Sequence, residues 1–268
     1  MRCGWLRWLG WLAAALWVAA PARSITPRAA VTPHAASGVL RVANVPWPGH
    51  DKPQRLYVWR PAGGDSTQPV PVLYVMAGGE LFDAHAAADG EEWGLDEFLA
   101  ARAQGIPDLL VVAVEPGPDA LRDLAPPGSR SDGHGEAYAQ FVAGTVKPYV
   151  DAHWPTRRDA ASNWIAGEEA GAAFAVYVTW AHSQTFGTGI GLALPAPERD
   201  TPAWSKQLPP APAPRLWLER VTSARESPST TALDAVLARG AQLQIRQAGP
   251  HAPRLVRLAA ALRYAAQP

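Results

Sequence analysis

The chain of 268 residues carries 24 Lys and Arg against 24 Asp and Glu, so its formal net charge is zero. It contains no basic block, which excludes nucleic acid as a partner because phosphate binding needs clustered Lys and Arg. The only cysteine is Cys3, so the chain beyond its amino terminus offers no disulfide, thiol nucleophile or thiolate metal ligand.

The amino terminus has the pattern of a secretory signal peptide. Arg2 and Arg7 precede an uncharged apolar stretch from Trp8 to Ala20. Ala20-Pro21-Ala22 then fits the small-x-small rule of signal peptidase. The stretch is shorter than the roughly 20 residues of a comfortable membrane span. Cleavage predicts a secreted or periplasmic protein with no stable membrane span, and an uncleaved anchor is the alternative.

This pattern divides the chain into three parts. We predict a signal peptide over residues 1–22, a flexible leader over 23–38 that is interrupted by prolines, and a folded domain over 39–268. The length that remains after cleavage is enough for one sizeable α/β domain.

The first half of this domain predicts a hairpin followed by alternating strands and helices. Turn residues at His50-Asp51-Lys52-Pro53 separate the first two β-rich runs, and Pro71–Met76 is a continuous apolar run, typical of a strand covered on both faces. The predicted elements are strands over Val39–Val45, Arg55–Arg60 and Pro71–Met76, a helix over Leu95–Gln104, a strand over Asp108–Val114 and a long helix over Glu136–His153, in which Pro148 marks a kink or an early end.

The second half continues the alternation. The predicted elements are a strand over Asn163–Ala166, an apolar helix that starts at Ala172, strands over Phe186–Leu194 and Arg215–Val221, a helix over Thr231–Arg239, a strand over Ala241–Arg246 and a closing helix over Ala252–Tyr264. Such alternation predicts a mostly parallel central sheet with helices on both faces, to which the opening hairpin adds antiparallel edge strands. This is the layout of the α/β-hydrolase fold.

The most informative motif is Gly167-Glu168-Glu169-Ala170-Gly171, which lies between a predicted buried strand and an apolar helix. It has the glycine frame of the G-x-S-x-G nucleophile elbow, in which a sharp strand-to-helix turn exposes a serine. Here Glu169 stands at the serine position. The motif therefore predicts the scaffold more directly than the activity.

Several segments together resemble the esterase family that includes esterase D and the enterochelin and feruloyl esterases, within the α/β-hydrolase superfamily. The resemblance runs from about Arg55 to Tyr264. Its motifs are Arg55–Pro61, a strand ending in proline; Pro71–Gly79, a strand leading to a glycine turn; the Arg-x-x-x-Pro loop Arg122–Pro126; the elbow segment Ile165–Gly171; and Gly249-Pro250-His251, at the histidine loop.

The resemblance implies a site in which a serine attacks an ester, a histidine takes its proton, an acid orients the histidine and backbone N–H groups hold the oxyanion. Carried over to this sequence, the nucleophile position falls on Glu169, buried beside the base position His251. Glu226, after the strand Arg215–Val221, is the best acid candidate. The oxyanion positions fall on Gly78, Gly79 and Ala170.

Two functions follow from this substituted elbow. In the first, the protein is a pseudo-hydrolase that has lost catalysis and binds a ligand in the old cleft. In the second, it is an active carboxylic-ester hydrolase that uses Glu169 or another nucleophile. Related folds use aspartate covalently at this position, but the extra methylene of glutamate displaces the attacking oxygen, which disfavours the second function.

Other residues of the site have simpler interpretations. We expect Glu168 to be an ordinary polar residue at a helix amino terminus, where negative charge is favourable. Gly78 and Gly79 equally suit a tight turn that only requires glycine, and Glu80 opposes an oxyanion electrostatically. No histidine pair has metal-ligand spacing and no glycine motif follows a strand in a dinucleotide fingerprint, so we expect neither metal nor cofactor. The expected ligand is a small-molecule ester or another compound that the sequence does not specify.

Overall fold

The computed structural model describes residues 38–63, 65–87, 90–102, 105–129, 132–194, 214–221, 241–249 and 252–267. The predicted signal peptide, nearly all of the leader and the helix predicted over Thr231–Arg239 lie outside the described residues. Glu226 and His251, the candidate acid and base, also lie outside them.

Within these ranges, eight strands form one sheet, in the order β1-β2-β4-β3-β5-β6-β7-β8. The strands are β1 (Gly38–Val45), β2 (Gln54–Pro61), β3 (Val72–Val75), β4 (Leu110–Val114), β5 (Asn163–Glu168), β6 (Thr188–Leu192), β7 (Arg215–Val221) and β8 (Gln242–Ala248). β1 pairs with β2 and β2 with β4 in antiparallel fashion, and every other pair is parallel. The predicted mostly parallel sheet with an antiparallel hairpin is confirmed.

Helices cover both faces of this sheet. They are α1 (Leu95–Ala100), α2 (Ala120–Asp123), α3 (Gly135–Phe141), α4 (Lys147–His153), α5 (Ala170–Ala181) and α6 (Arg254–Ala265). One apolar core contains Tyr138 and Phe174, from α3 and α5, and the other contains Leu95 and Leu258, from α1 and α6. A helix therefore lies over each side of the strands that carry the site.

The continuous apolar run of β3 serves both cores. Tyr74 packs into one core and its neighbours Leu73 and Val75 into the other, because successive side chains of a strand point to opposite faces. All four residues of β3 are buried. A strand covered on both faces has no position that favours a polar residue, which is why the run shows no alternation.

The long helix predicted over Glu136–His153 forms, with one irregularity. A π turn at Val142–Val146 separates α3 from α4. Pro148 consequently lies in the first turn of α4. Proline has no backbone N–H, and the first turn of an α-helix does not need one for its hydrogen bonds. The proline is thus accommodated by a widened turn and does not end the helix.

A buried carboxyl group lies in α1. The Asp96 residue is 1% exposed, and its Oδ1 atom has no hydrogen-bond partner among the described residues. Burial raises the pKa of Asp96 to about 7, with further contributions from Glu97 and Glu92. Ionised Asp96 therefore destabilises the folded state.

Substitution Asp96→Asn tests this burial. The folded pKa lies above the unfolded value of about 4, so the contribution of Asp96 to stability is full below pH 4 and is lost as the pH rises through 7. Asparagine does not ionise. The free energy of unfolding of Asp96→Asn and of the natural protein is measured by urea denaturation at pH 5 and at pH 8. The difference between them should shift by about 2 kcal/mol in favour of the variant from the lower to the higher pH.

The exposed Asp51, in the turn between β1 and β2, supplies the control. The difference between Asp51→Asn and the natural protein should be the same at both pH values. If the difference in unfolding free energy between Asp96→Asn and the natural protein is the same at pH 5 and pH 8, the Asp96 carboxyl ionises freely in the folded protein.

Candidate functional site

The candidate site lies at the carboxyl ends of the parallel strands. The glycine turn follows β3, the elbow follows β5, and Glu219 lies near the end of β7. Since β3, β5, β6 and β7 are parallel neighbours, these segments share one edge of the sheet. Ligands of open α/β sheets bind at this edge.

The turn between β5 and α5 has an unusual backbone. Glu169 adopts φ 51° and ψ −113°, which a residue with a side chain rarely does and which costs about 1–3 kcal/mol. Its N–H donates to the Leu192 carbonyl oxygen at 3.0 Å, and its carbonyl oxygen accepts from the Ala172 N–H at 3.0 Å. The strand, sharp turn and helix that a G-x-S-x-G motif needs are all formed.

The two glycines of the motif permit this turn. A Cβ atom on Gly167 would collide with the carbonyl carbon and oxygen of Gly171. One on Gly171 would lie 3.5 Å from the Met76 Cβ. β5 and the first turn of α5 therefore approach so closely that Gly167 tolerates no side chain.

The side chain of Glu169 is exposed. The expectation that it is buried is therefore wrong, because the turn that presents a nucleophile to a substrate also presents this carboxylate to solvent. An exposed carboxylate at the amino terminus of α5 stays hydrated and benefits from the positive end of the helix dipole. Its predicted neighbour His251 lies outside the described residues.

Glu168 differs from the expectation of an ordinary turn residue. It is the last residue of β5, and its carboxylate pairs with Arg254 Nε at 2.8 Å and Arg257 Nη1 at 2.9 Å. Sequence reasoning missed these partners because they lie far along the chain, on α6. The glutamate before the apex thus joins the elbow to the closing helix.

A second carboxylate completes the network. Arg257 Nε donates to Glu219 Oε1 at 2.5 Å, and the side chains of Arg257 and Glu219 are 9% and 4% exposed. Glu168 and Glu219 lie on either side of β6, because β6 pairs with both β5 and β7. Arg257 therefore bridges the two strands. A charge at this depth requires such pairing, since an unpaired buried ion is costly.

The glycine turn after β3 carries its own carboxylate. The Gly78 N–H donates to Glu80 Oε1 at 2.8 Å. A second glutamate approaches the same turn: Glu115 Cγ lies 3.5 Å from the place of a Gly78 Cβ, and Glu115 pairs with Arg55 at 3.6 Å. One backbone donor proposed for an oxyanion is thus already bonded to a carboxylate.

One residue links this turn to the ion network. The Trp93 N–H donates to the Glu80 carbonyl oxygen at 3.3 Å, and the Arg254 guanidinium lies over the Trp93 ring, 5.9 Å from its centroid. Arg254 in turn pairs with Glu168. The glycine turn, Trp93 and the elbow are therefore held together by consecutive contacts.

A further polar cluster, which sequence reasoning missed, lies in the Arg-x-x-x-Pro loop. His134 Nδ1 lies 3.4 Å from Asp123 Oδ1, and His134 Nε2 lies 3.2 Å from Arg122 Nη2. Arginine only donates, so Nε2 accepts and the proton is on Nδ1, facing Asp123. Burial raises the pKa of Asp123, which His134 and His50 oppose. His134, at the start of α3, therefore ties the loop to that helix.

The described residues contain no group of three His, Cys, Asp or Glu side chains arranged to hold a metal ion. None of the helices in the same ranges is both long and apolar enough to cross a membrane.

The mostly parallel sheet, its flanking helices and the strained turn define the α/β-hydrolase fold. The sequence model of the family described as "Putative esterase" matches residues 35–244, so the chain belongs to this family. Among curated proteins, none matches the sequence.

Solved structures agree with this fold. The IroE-like serine hydrolase from Shewanella oneidensis has a TM-score of 0.60 at 14% identity, over 84% of this chain and 79% of that one. The ferulic acid esterase AmCE1/Fae1A from Anaeromyces mucronatus, solved with ferulic acid, scores 0.61 at 13% identity, over 85% and 92%. The enterobactin esterase FES from Shigella flexneri scores 0.61 at 18% identity, over 89% and 60%. These identities establish the fold and not the activity.

The buried ion network generates a first prediction for this site. Removing one partner of a buried pair leaves an uncompensated charge, so Arg257→Ala should lower the free energy of unfolding by about 3 kcal/mol. Arg263→Ala changes an exposed arginine of the same helix and should cost less than about 1 kcal/mol. Urea denaturation measures both. Equal losses would mean that Arg257 does not hold the elbow to α6.

The strained apex generates a second prediction. Glycine adopts positive φ without penalty, whereas alanine retains the strain. Glu169→Gly should therefore be more stable than Glu169→Ala by about 1 kcal/mol, measured by thermal and urea denaturation. Both variants lose the carboxylate, so the comparison isolates the backbone. If the alanine variant is as stable as the glycine variant, the turn is not strained.

Proposed function

We propose that this protein is a secreted pseudo-hydrolase, which binds a small-molecule ligand in the cleft of an esterase fold without hydrolysing it. The observation that carries the proposal is the exposed carboxylate of Glu169 at the strained apex of the elbow. The costly backbone of a nucleophile turn is retained although the serine is absent.

The chemistry of acyl transfer argues against catalysis here. A serine is activated when a base removes its hydroxyl proton, and an ionised carboxylate has no such proton. The transition state of ester cleavage also develops negative charge on the carbonyl oxygen. Glu169, Glu80 and Glu115 would all oppose that charge.

The fold supports a small-molecule ligand, because the described strands β3, β5, β6 and β7 are parallel and ligands of such sheets bind at the carboxyl ends of the strands. The similar structures include a ferulic acid esterase with ferulic acid and an enterobactin esterase in the presence of enterobactin. By analogy we infer a compact ligand of ester or aryl type. Gly78, Gly79 and Ala170 remain the candidate oxyanion positions, His251 the candidate base and Glu226 the candidate acid.

A second function, ester hydrolysis through Glu169, has one supporting observation. The apex backbone presents the Glu169 carboxylate as it would a nucleophile. That carboxylate would attack the ester carbonyl carbon to form an acyl anhydride, and the alcohol would leave with a proton from a histidine that starts in its protonated form. Water would then hydrolyse the anhydride to the free acid, restoring the carboxylate and returning a proton to the histidine. The longer side chain of glutamate disfavours this geometry.

The decisive experiment uses the chain from Arg23 onward, with p-nitrophenyl acetate and methyl ferulate as substrates. The pseudo-hydrolase proposal predicts no release above the buffer rate and measurable binding of methyl ferulate by calorimetry. Turnover that is lost in Glu169→Gln but kept in Glu168→Gln would instead establish the second function. For the secreted form, protein recovered from the periplasm should begin after Ala22; retention of the first 22 residues would contradict cleavage.

A further inference from the structure

We infer that Glu80 is the residue that excludes oxyanions from the cleft, because its carboxylate occupies a backbone donor of the glycine turn. The cleft then selects neutral or positively charged ligands, and the loss of catalysis has two causes, Glu169 at the elbow and Glu80 at the turn. This inference rests on the proposed function.

Glu80 is held by one hydrogen bond to its side chain and one to its backbone. Its Oε1 atom accepts the Gly78 N–H at 2.8 Å, and its carbonyl oxygen accepts the Trp93 N–H at 3.3 Å. Its Oε2 atom lies 2.8 Å from the place of a Gly78 Cβ. The carboxylate is thus folded back over Gly78, where only glycine leaves room for it.

The Glu80 carboxylate accepts the same backbone hydrogen bond that an oxyanion would accept from this turn. A hydrogen bond from a backbone N–H to a carboxylate is charge-assisted and roughly twice as strong as a neutral one. A ligand oxygen that needs the same donor must displace it. The displaced carboxylate would remain close by and repel a negatively charged ligand, since the charges meet in a partly buried site.

Glu115 allows the effect of the Glu80 hydrogen bond to be separated from the effect of negative charge near the turn. Its Cγ lies 3.5 Å from the place of a Gly78 Cβ, but Glu115 pairs with Arg55 and makes no contact with the Gly78 N–H that the structure records. Glu115→Gln therefore removes one negative charge near the turn and leaves the donor occupied. It is the matched control for Glu80.

A serine placed at the elbow tests both causes. In Glu169→Ser, the hydroxyl oxygen attacks the ester carbonyl carbon, its proton passes to the base, and the alcohol leaves with that proton. Water then releases the carboxylic acid and restores the hydroxyl. The oxyanion forms beside Gly78, so Glu80 should still impede the reaction in this variant.

The experiment compares p-nitrophenyl acetate hydrolysis by four proteins. They are Glu169→Ser alone and Glu169→Ser combined with Glu80→Ala, Glu80→Gln or Glu115→Gln. Releasing a charge-assisted donor should raise the rate about tenfold or more in Glu169→Ser/Glu80→Ala. Glu80→Gln should give a smaller gain, because glutamine still accepts the N–H, and Glu115→Gln the smallest.

Three kinetic results would overturn the inference. The first is an equal rate for Glu169→Ser with and without Glu80→Ala. The second is a Glu169→Ser/Glu80→Ala rate no higher than that of buffer. The third is a rate gain from Glu115→Gln equal to that from Glu80→Ala. As a measurement independent of catalysis, the Gly78 amide proton should move upfield in the NMR spectrum of Glu80→Ala, and an unchanged resonance would also overturn it. Ester turnover by the natural protein would instead refute the proposed function, so the two failures are distinguishable.

Discussion

The close approach of β5 and α5 is the constraint on which the site depends. Gly167 lies against the backbone of Gly171 with no room for a side chain, and this contact forces the residue at the apex into a positive φ. A bond from the Glu169 N–H to the carbonyl of Leu192 fixes the apex against β6. Packing, not the chemical identity of the apex residue, therefore maintains the turn, which explains how the turn persists without a serine.

The charges around this turn form a consistent pattern. Glu168 and Glu219 are neutralised by arginines of α6, so their carboxylates stabilise the join between the elbow and the closing helix. Glu169 is left exposed, and Glu80 is bonded to the turn after β3. Negative charge at these two positions would oppose a developing oxyanion, which supports the proposed loss of catalysis.

The sequence was sufficient for the fold because hydrophobic periodicity and turn residues are local signals. It identified β3 from a continuous apolar run and the elbow from its glycine frame. The partners of Glu168 could not be predicted, because Arg254 and Arg257 approach it only when β5, β7 and α6 are assembled. The contact of Glu80 with Gly78 is local, yet it depends on backbone angles of a short 3₁₀ turn that residue types alone do not specify. The exposure of Glu169 likewise follows from the turn and not from its neighbours in sequence.

We propose that no covalent chemistry takes place at the elbow. This proposal is tested most directly by intact-mass spectrometry of the natural protein, quenched in acid at short times after mixing with p-nitrophenyl acetate and followed by peptide mapping of residues 163–171. This peptide should stay unmodified at every time point. An acetyl group that appears on Glu169 early and disappears as product accumulates would contradict the proposal and would establish a working nucleophile.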